Sequence, residues 1–98
     1  MTLTKETEGT TVTLRPEGRL DTGTAPELEQ AIAQIEDPGT LILDFAQLSY
    51  ISSAGLRVLL ARQKAAAEKG PMILRNVCGA IMDVFDITGF ADILTIEK

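Results

Sequence analysis

Residues 40 to 45, Thr-Leu-Ile-Leu-Asp-Phe, form a mainly apolar run that does not alternate, and they follow directly on a helical pattern. A strand with one wet face alternates apolar and polar side chains, whereas a strand covered on both faces has no reason to. The run therefore reads as a central strand of a layered α/β domain, reached from a helix on its N-terminal side. Few architectures other than a β-α-β sandwich accommodate that order.

The flanking segments fill in the layers. Residues 2 to 20 alternate around Gly9, with Val12 and Leu14 two apart, and read as a hairpin whose second strand is broken by Pro16 and Gly18. Leu28, Ala31, Ile32 and Ile35 make the stripe of an amphipathic helix, with Thr24 and Glu27 as its capping box and Asp37, Pro38 and Gly39 as its end. After the central strand, residues 46 to 53 read as a loop into a second helix. That helix presents Leu56, Leu59, Leu60 and Ala67 on one face, turns Arg57, Lys64 and Glu68 away, and stops at Gly70 and Pro71. Residues 72 to 76 form another short strand, and Asn76 caps a third helix with inner residues Val77, Ile81, Val84 and Phe85. Gly89 closes that helix, and residues 93 to 97 supply a last strand. The expected order is β-β-α-β-α-β-α-β, in one domain spanning residues 1 to 98: a mixed sheet with amphipathic helices packed over it.

Composition narrows the function. At 98 residues there is room for one core and for no added catalytic domain. The net charge of −5 and the scattering of the 9 basic residues leave no stripe to follow a nucleic-acid backbone or an anionic membrane. The longest uncharged run, residues 45 to 56, is too short and too polar to span a bilayer, and the first nine residues lack a signal peptide's apolar stretch. The expected location is the cytoplasm. With no histidine, a Ser-His-Asp triad is impossible, and a lone Cys78 supports neither a disulfide nor a common zinc site. Cys78 is expected to be a small core residue. No nucleophile elbow, phosphate loop or dinucleotide fingerprint occurs. Asp83, Asp86 and Asp92 read as solvated carboxylates. These absences point away from an enzyme, and no cofactor or metal is expected.

Four positions converge instead. In a sheet of this order the loops carrying Asp21 and Thr24, and Ser52 and Ser53, both lead into helix N-termini, so all four share one end of the domain. The adjacent serines can cap the second helix, since a serine hydroxyl accepts a hydrogen bond from a free amide of the first turn. The same place suits an anion, because the helix terminus offers unpaired N–H groups and about half a positive charge. On spacing alone Ser53 reads as a structural cap, since helix starts are rich in serine for that reason.

The segment LILDFAQLSYISSAGLRVLL strongly resembles the signature of the STAS family, the bacterial anti-sigma factor antagonists: an apolar-apolar-Asp-apolar strand leading to a serine, a glycine and an apolar residue at a helix start. GRLDTGTAPELEQAI is similar to the family's G-x-L-D segment, and NVCGAIMDVFDITGFADILTI to its third helix and last strand. The resemblance implies a STAS-like fold and places the family's phosphorylated serine on Ser53, with Ser52 as the lesser candidate, its glycine on Gly55 and its loop acid on Asp21. Ser52 stands where the family commonly has aspartate, and Ala54 where it commonly has a second hydroxyl. The implied partner surface comprises Asp21, Thr24, Ser52, Ser53, Ala54, Gly55 and Arg57. The implied function is a partner switch: the unphosphorylated protein binds an anti-sigma factor that is also a serine-protein kinase, the phosphorylated one releases it, and a phosphatase restores the first state. The alternative is a STAS subunit resting on the ATPase of a membrane-associated, ABC-type lipid transport complex.

Overall fold

The computed structural model describes residues 1–35 and 39–97. Strands β1 (Thr2–Glu8) and β2 (Thr11–Leu20) form an antiparallel hairpin around Gly9. Helix α1 (Ala25–Ala33) leads to β3 (Thr40–Asp44) and β4 (Leu48–Ile51). Helix α2 (Ser53–Lys64) runs into a single turn, α3 (Ala66–Lys69), before β5 (Met72–Arg75). Helix α4 (Gly79–Thr88) and a 3-10 turn at Phe90–Asp92 complete the described elements. The sheet order is β1-β2-β3-β5, with β4 also paired to β2, and every pairing after the hairpin is parallel.

The non-alternating run behaves as its sequence demands. Leu41 and Leu43 on one face of β3 and Ile42 on the other are all buried, so both faces are covered. Leu14, Leu28, Phe45, Leu59, Leu74 and Phe85 join Leu41 and Leu43 in one core, each such side chain contributing about 1.5–3 kcal/mol by leaving water.

Several local expectations are corrected. Pro16 and Gly18 do not end β2, which continues to Leu20. The strand changes partner instead: Thr11 to Leu14 pair with β3, and Gly18 to Leu20 pair with β4. Pro16 falls in the gap between the two, where the N–H it lacks is not missed by either parallel neighbour. Gly18, at φ 96°, takes the register shift. The expected loop at residues 46 to 53 contains β4, delivered by a turn in which Asp44 Oδ1 accepts the Ala46 amide at 3.0 Å and the Leu48 amide donates to the Phe45 carbonyl at 3.0 Å.

The capping box of α1 is not formed. Thr24 has a helical backbone, and its hydroxyl donates to the Arg19 carbonyl at 2.7 Å while accepting the Asp21 amide at 2.9 Å, so loop contacts claim it. Of the expected stop, Asp37 and Pro38 lie outside the described residues. On α2 the inner residues are Leu56, Val58, Leu59 and Arg62, with Leu60 half-buried; Ala67 is exposed, because the chain bends at Ala65.

Asn76 does not cap α4. It takes φ 58° and donates from Nδ2 to Asp44 Oδ1 at 3.0 Å, and Cys78 occupies the cap position without a side-chain capping bond. Cys78 is exposed there rather than in the core. Gly89 closes α4 in the left-handed region, as its place in the sequence requires. Of the last strand the described residues keep one parallel bridge, Ile96 to Leu74, because the turning chain after Phe90–Asp92 runs on through Leu94, whose amide donates to the Phe90 carbonyl at 2.9 Å.

Candidate functional site at the start of helix α2

The parallel pairing of Leu20 with Ile51 sets the geometry of this end of the molecule. The Ser52 amide extends the ladder by donating to the Leu20 carbonyl at 2.8 Å. Asp21 and Ser52 are thus the next residues on two strands that finish side by side, and the loops they open deliver α1 and α2 together. The sequence expectation that Asp21, Thr24, Ser52 and Ser53 share one end holds.

The two serines divide the roles. Ser52 is the N-cap: its backbone is extended and its Oγ accepts the Gly55 amide at 3.4 Å, a long capping bond. Ser53 occupies the first helical position and is exposed. Reading Ser53 as the cap fails because its backbone is already helical, whereas a capping residue lies outside the helical region. No acidic residue lies in the first turn of α2, so the positive end of the helix is uncompensated by side chains of its own.

Beneath Ser53 the packing is tight. Gly55 is buried, and a Cβ added there would sit 2.8 Å from Leu20 Cγ and 2.9 Å from Ile51 Cγ1. Gly55 presents no surface to a partner; it allows α2 to close onto the ends of β2 and β4. Ala54 is half-buried, and Arg57, one turn beyond Ser53, is exposed. Ala54 and Arg57 face a groove between α1 and α2 that Thr22, Ala25 and Pro26 line from the other side.

Asp21 is an organiser of its loop. Its Oδ1 accepts the Gly23 amide at 3.0 Å and the Thr24 amide at 3.1 Å, and the Thr24 hydroxyl, whose one proton is shared with the nearer Arg19 carbonyl, lies 3.2 Å away. The Thr24 amide, aided by the Thr24 hydroxyl, the Gly23 amide and the charge of Arg19, holds its carboxyl below the usual carboxylate range against some desolvation. Asp44 plays the same part in the turn before β4. Burial opposes its ionisation, yet hydrogen bonds from Asn76, the Ala46 amide and Arg15 keep its pKa low.

Sequence reasoning missed two residues at this end. The Arg19 guanidinium lies 4.0 Å from the centre of the Tyr50 ring, and Tyr50 is 39% exposed. No sequence signal marked them: in β4 Leu48 and Ile51 turn inward and Ser49 and Tyr50 outward, an order without strand alternation. Asp83, Asp86 and Asp92 are exposed, and among the described residues no three histidine, cysteine or carboxylate groups gather as a metal site would require. Among the described residues no helix is long and apolar enough to cross a membrane.

The same architecture occurs in the antagonist SpoIIAA. Its unphosphorylated form superposes with a TM-score of 0.82 at 24% identity, covering 99% of this chain and 89% of that one. Its phosphorylated form from Bacillus gives 0.74 at 24% identity, covering 99% and 92%. In sequence, the chain is 35% identical over 85 residues to BtrV of Bordetella bronchiseptica, covering 84% of this chain and 73% of that protein. It is 31% identical over 84 residues to the anti-sigma-B factor antagonist of Staphylococcus epidermidis, covering 83% and 78%. The STAS domain pattern matches residues 2–98. A paired β2–β4 end, a serine-capped α2 and a match over nearly the full length lead to one conclusion: the chain belongs to the STAS domain family.

Proposed function

We propose that this protein is an anti-sigma factor antagonist that works as a phosphorylation-controlled partner switch, with Ser53 as the acceptor. Unphosphorylated, it binds an anti-sigma factor with serine-protein kinase activity, using Asp21, Thr24, Ser52, Ser53, Ala54 and Arg57, with Gly55 as the packed base beneath them. Phosphorylated, it releases that partner, and a phosphatase resets it. It acts in the cytoplasm, by binding rather than by catalysis.

The observation that carries this reading is that Ser53 is exposed at the first helical position while Ser52 holds the capping bond. A kinase can therefore take the Ser53 hydroxyl without uncapping α2. The phosphoryl group adds about −1.5 to −2 charges and three acceptor oxygens at a helix end that favours anions, so the fold tolerates the modification. A partner surface shaped to the neutral serine does not tolerate it, because burying an unpaired charge costs several kcal/mol. The names of the relatives support an anti-sigma factor as the partner class. Mass spectrometry of the peptide around residues 50 to 57, from protein isolated from its own cells, tests the modification. Phosphate on Ser53 is expected; phosphate on Ser52 alone, or on neither serine under any growth condition, contradicts the assignment.

A further inference from the structure

Arg57 stands one turn after Ser53 on α2, about 6 Å along the axis, and both residues are exposed. On a helix surface the neighbours of a residue lie three and four positions away. For Arg57 these are Ser53, Ala54, Leu60 and Ala61; none is charged, and only Ser53 can become so. From Ser53 to Lys64 the helix has no acidic residue, although the chain has 14.

The rest of the surroundings leave the guanidinium free as well. Among the described residues the ion pairs engage the N-terminal amine, Arg15, Arg19 and Arg75, and none engages Arg57. Two acids stand on the facing elements. Asp21 is held by the amides of its own loop and by Arg19, 3.7 Å away, and Glu29 of α1 lines the same groove as Arg57 without pairing to it.

We propose that Arg57 is a latch for the phosphorylated state: the phosphate on Ser53 and the Arg57 guanidinium close into an ion pair within α2, with no covalent bond made or broken. The latch rests on Ser53 as the acceptor and fixes what the phosphate does once it is there. The acid stands four residues before the base, the favourable order for such a pair, and a guanidinium meets a phosphate through two parallel charge-assisted bonds. Because Arg57 lines the groove between α1 and α2, the closed pair sits at the rim of that groove. A partner then loses a neutral serine and a free cation in one event, where a phosphate pointing into solvent would remove the serine alone.

The test installs the phosphate without a kinase. Phosphoserine is placed at position 53 of the full chain during translation, and its phosphorus NMR signal is followed against pH in the parent, Arg57→Gln and Arg57→Lys. The second ionisation of the phosphate, ordinarily near 6, should fall about half a pH unit lower in the parent than in Arg57→Gln, with Arg57→Lys between the two. Lys64→Gln is the control. Lys64 lies about 16 Å from Ser53 along the axis, beyond the screening length of about 8 Å at physiological salt, so its loss should leave the titration where the parent has it. The proposal is overturned if Arg57→Gln titrates with the parent, or if Lys64→Gln moves the phosphate as far as Arg57→Gln does. Failure of the acceptor assignment shows separately, as an absence of phosphate on Ser53 in cells, while the phosphorus titrations still decide the ion pair.

Discussion

The two ends of α2 solve opposite problems. At its start a hydroxyl, that of Ser53, stands in solvent above a buried glycine, and the neighbouring Ser52 meets the capping requirement. At its end a charged residue, Arg62, is buried beside apolar side chains, and its Nη2 meets no acceptor among the described residues. At the start, surface chemistry is separated from folding, so a charge can come and go. At the end the two are joined, and any change to the side chain is felt by the core. One helix thus carries a site free to be modified and a site that is not.

That contrast can be broken by stability measurements, ordered here from the largest effect. Gly55→Val should cost about 3 kcal/mol, since its Cβ alone would fall 2.8 Å from Leu20 Cγ and 2.9 Å from Ile51 Cγ1 and must push both aside; the few tenths regained from helix propensity do not offset this. Thermal melts would show a drop of more than 10 °C at roughly 4–8 °C per kcal/mol, and an unchanged melting temperature would mean that α2 does not close on the sheet as described. Arg62→Ala should cost about 2 kcal/mol, through the lost packing of its stem and the lost bond to the Gly70 carbonyl. A neutral result there would remove the distinction between the two ends.

Asp44 tests the turn that brings β4, and hence Ser52, into place. Its pKa lies below the ordinary carboxylate value, so its charged form is favoured in the folded protein. The sign follows from linkage: its contribution is complete above the unfolded pKa near 4 and is lost as pH falls through the lower folded value. Asp44→Asn should lower stability by about 1.5 kcal/mol at neutral pH, with the gap to the parent closing below about pH 4. Urea unfolding at a series of pH values checks this, and a gap that persists in acid would show that Asp44 acts by shape and not by charge.

The smallest effects are the most discriminating. Ser52→Ala should cost about 0.5–1 kcal/mol, the low part of the capping range because the bond is long, while Ser53→Ala should fall within about 0.5 kcal/mol of the parent. If the order is reversed, Ser53 is the cap and the free hydroxyl disappears from the account.

Much of this end was legible before the fold was known, and the gaps have particular causes. Residues 40 to 45 announced a covered strand because burial on both faces leaves its mark in every side chain. The four residues of β4 could not be separated from a loop by pattern, since they start four residues after β3 ends and are specified by their pairing with β2, a non-local fact. Asn76 and Thr24 looked like caps because cap chemistry is local, yet each is claimed by a contact away from its helix: Asn76 by Asp44, Thr24 by the carbonyl of Arg19. The burial of Arg62 was hidden by its charge, although it lies three residues after Leu59 on the inner face. The serine pair was visible as a site from its resemblance, but only backbone conformation assigns the cap to one serine and exposure to the other.

The central claim is that charge at Ser53 controls binding without disturbing the fold. Calorimetric titration of the cognate anti-sigma kinase with Ser53→Asp and Ser53→Ala, alongside thermal melts of both, tests it most directly. Aspartate should lower affinity about a hundredfold, or roughly 2.7 kcal/mol, while alanine binds like the parent and both melt within a few degrees of it. If Ser53→Asp binds as tightly as the parent, or if its weakened binding is matched by an equal loss of folding stability, Ser53 is not the switch.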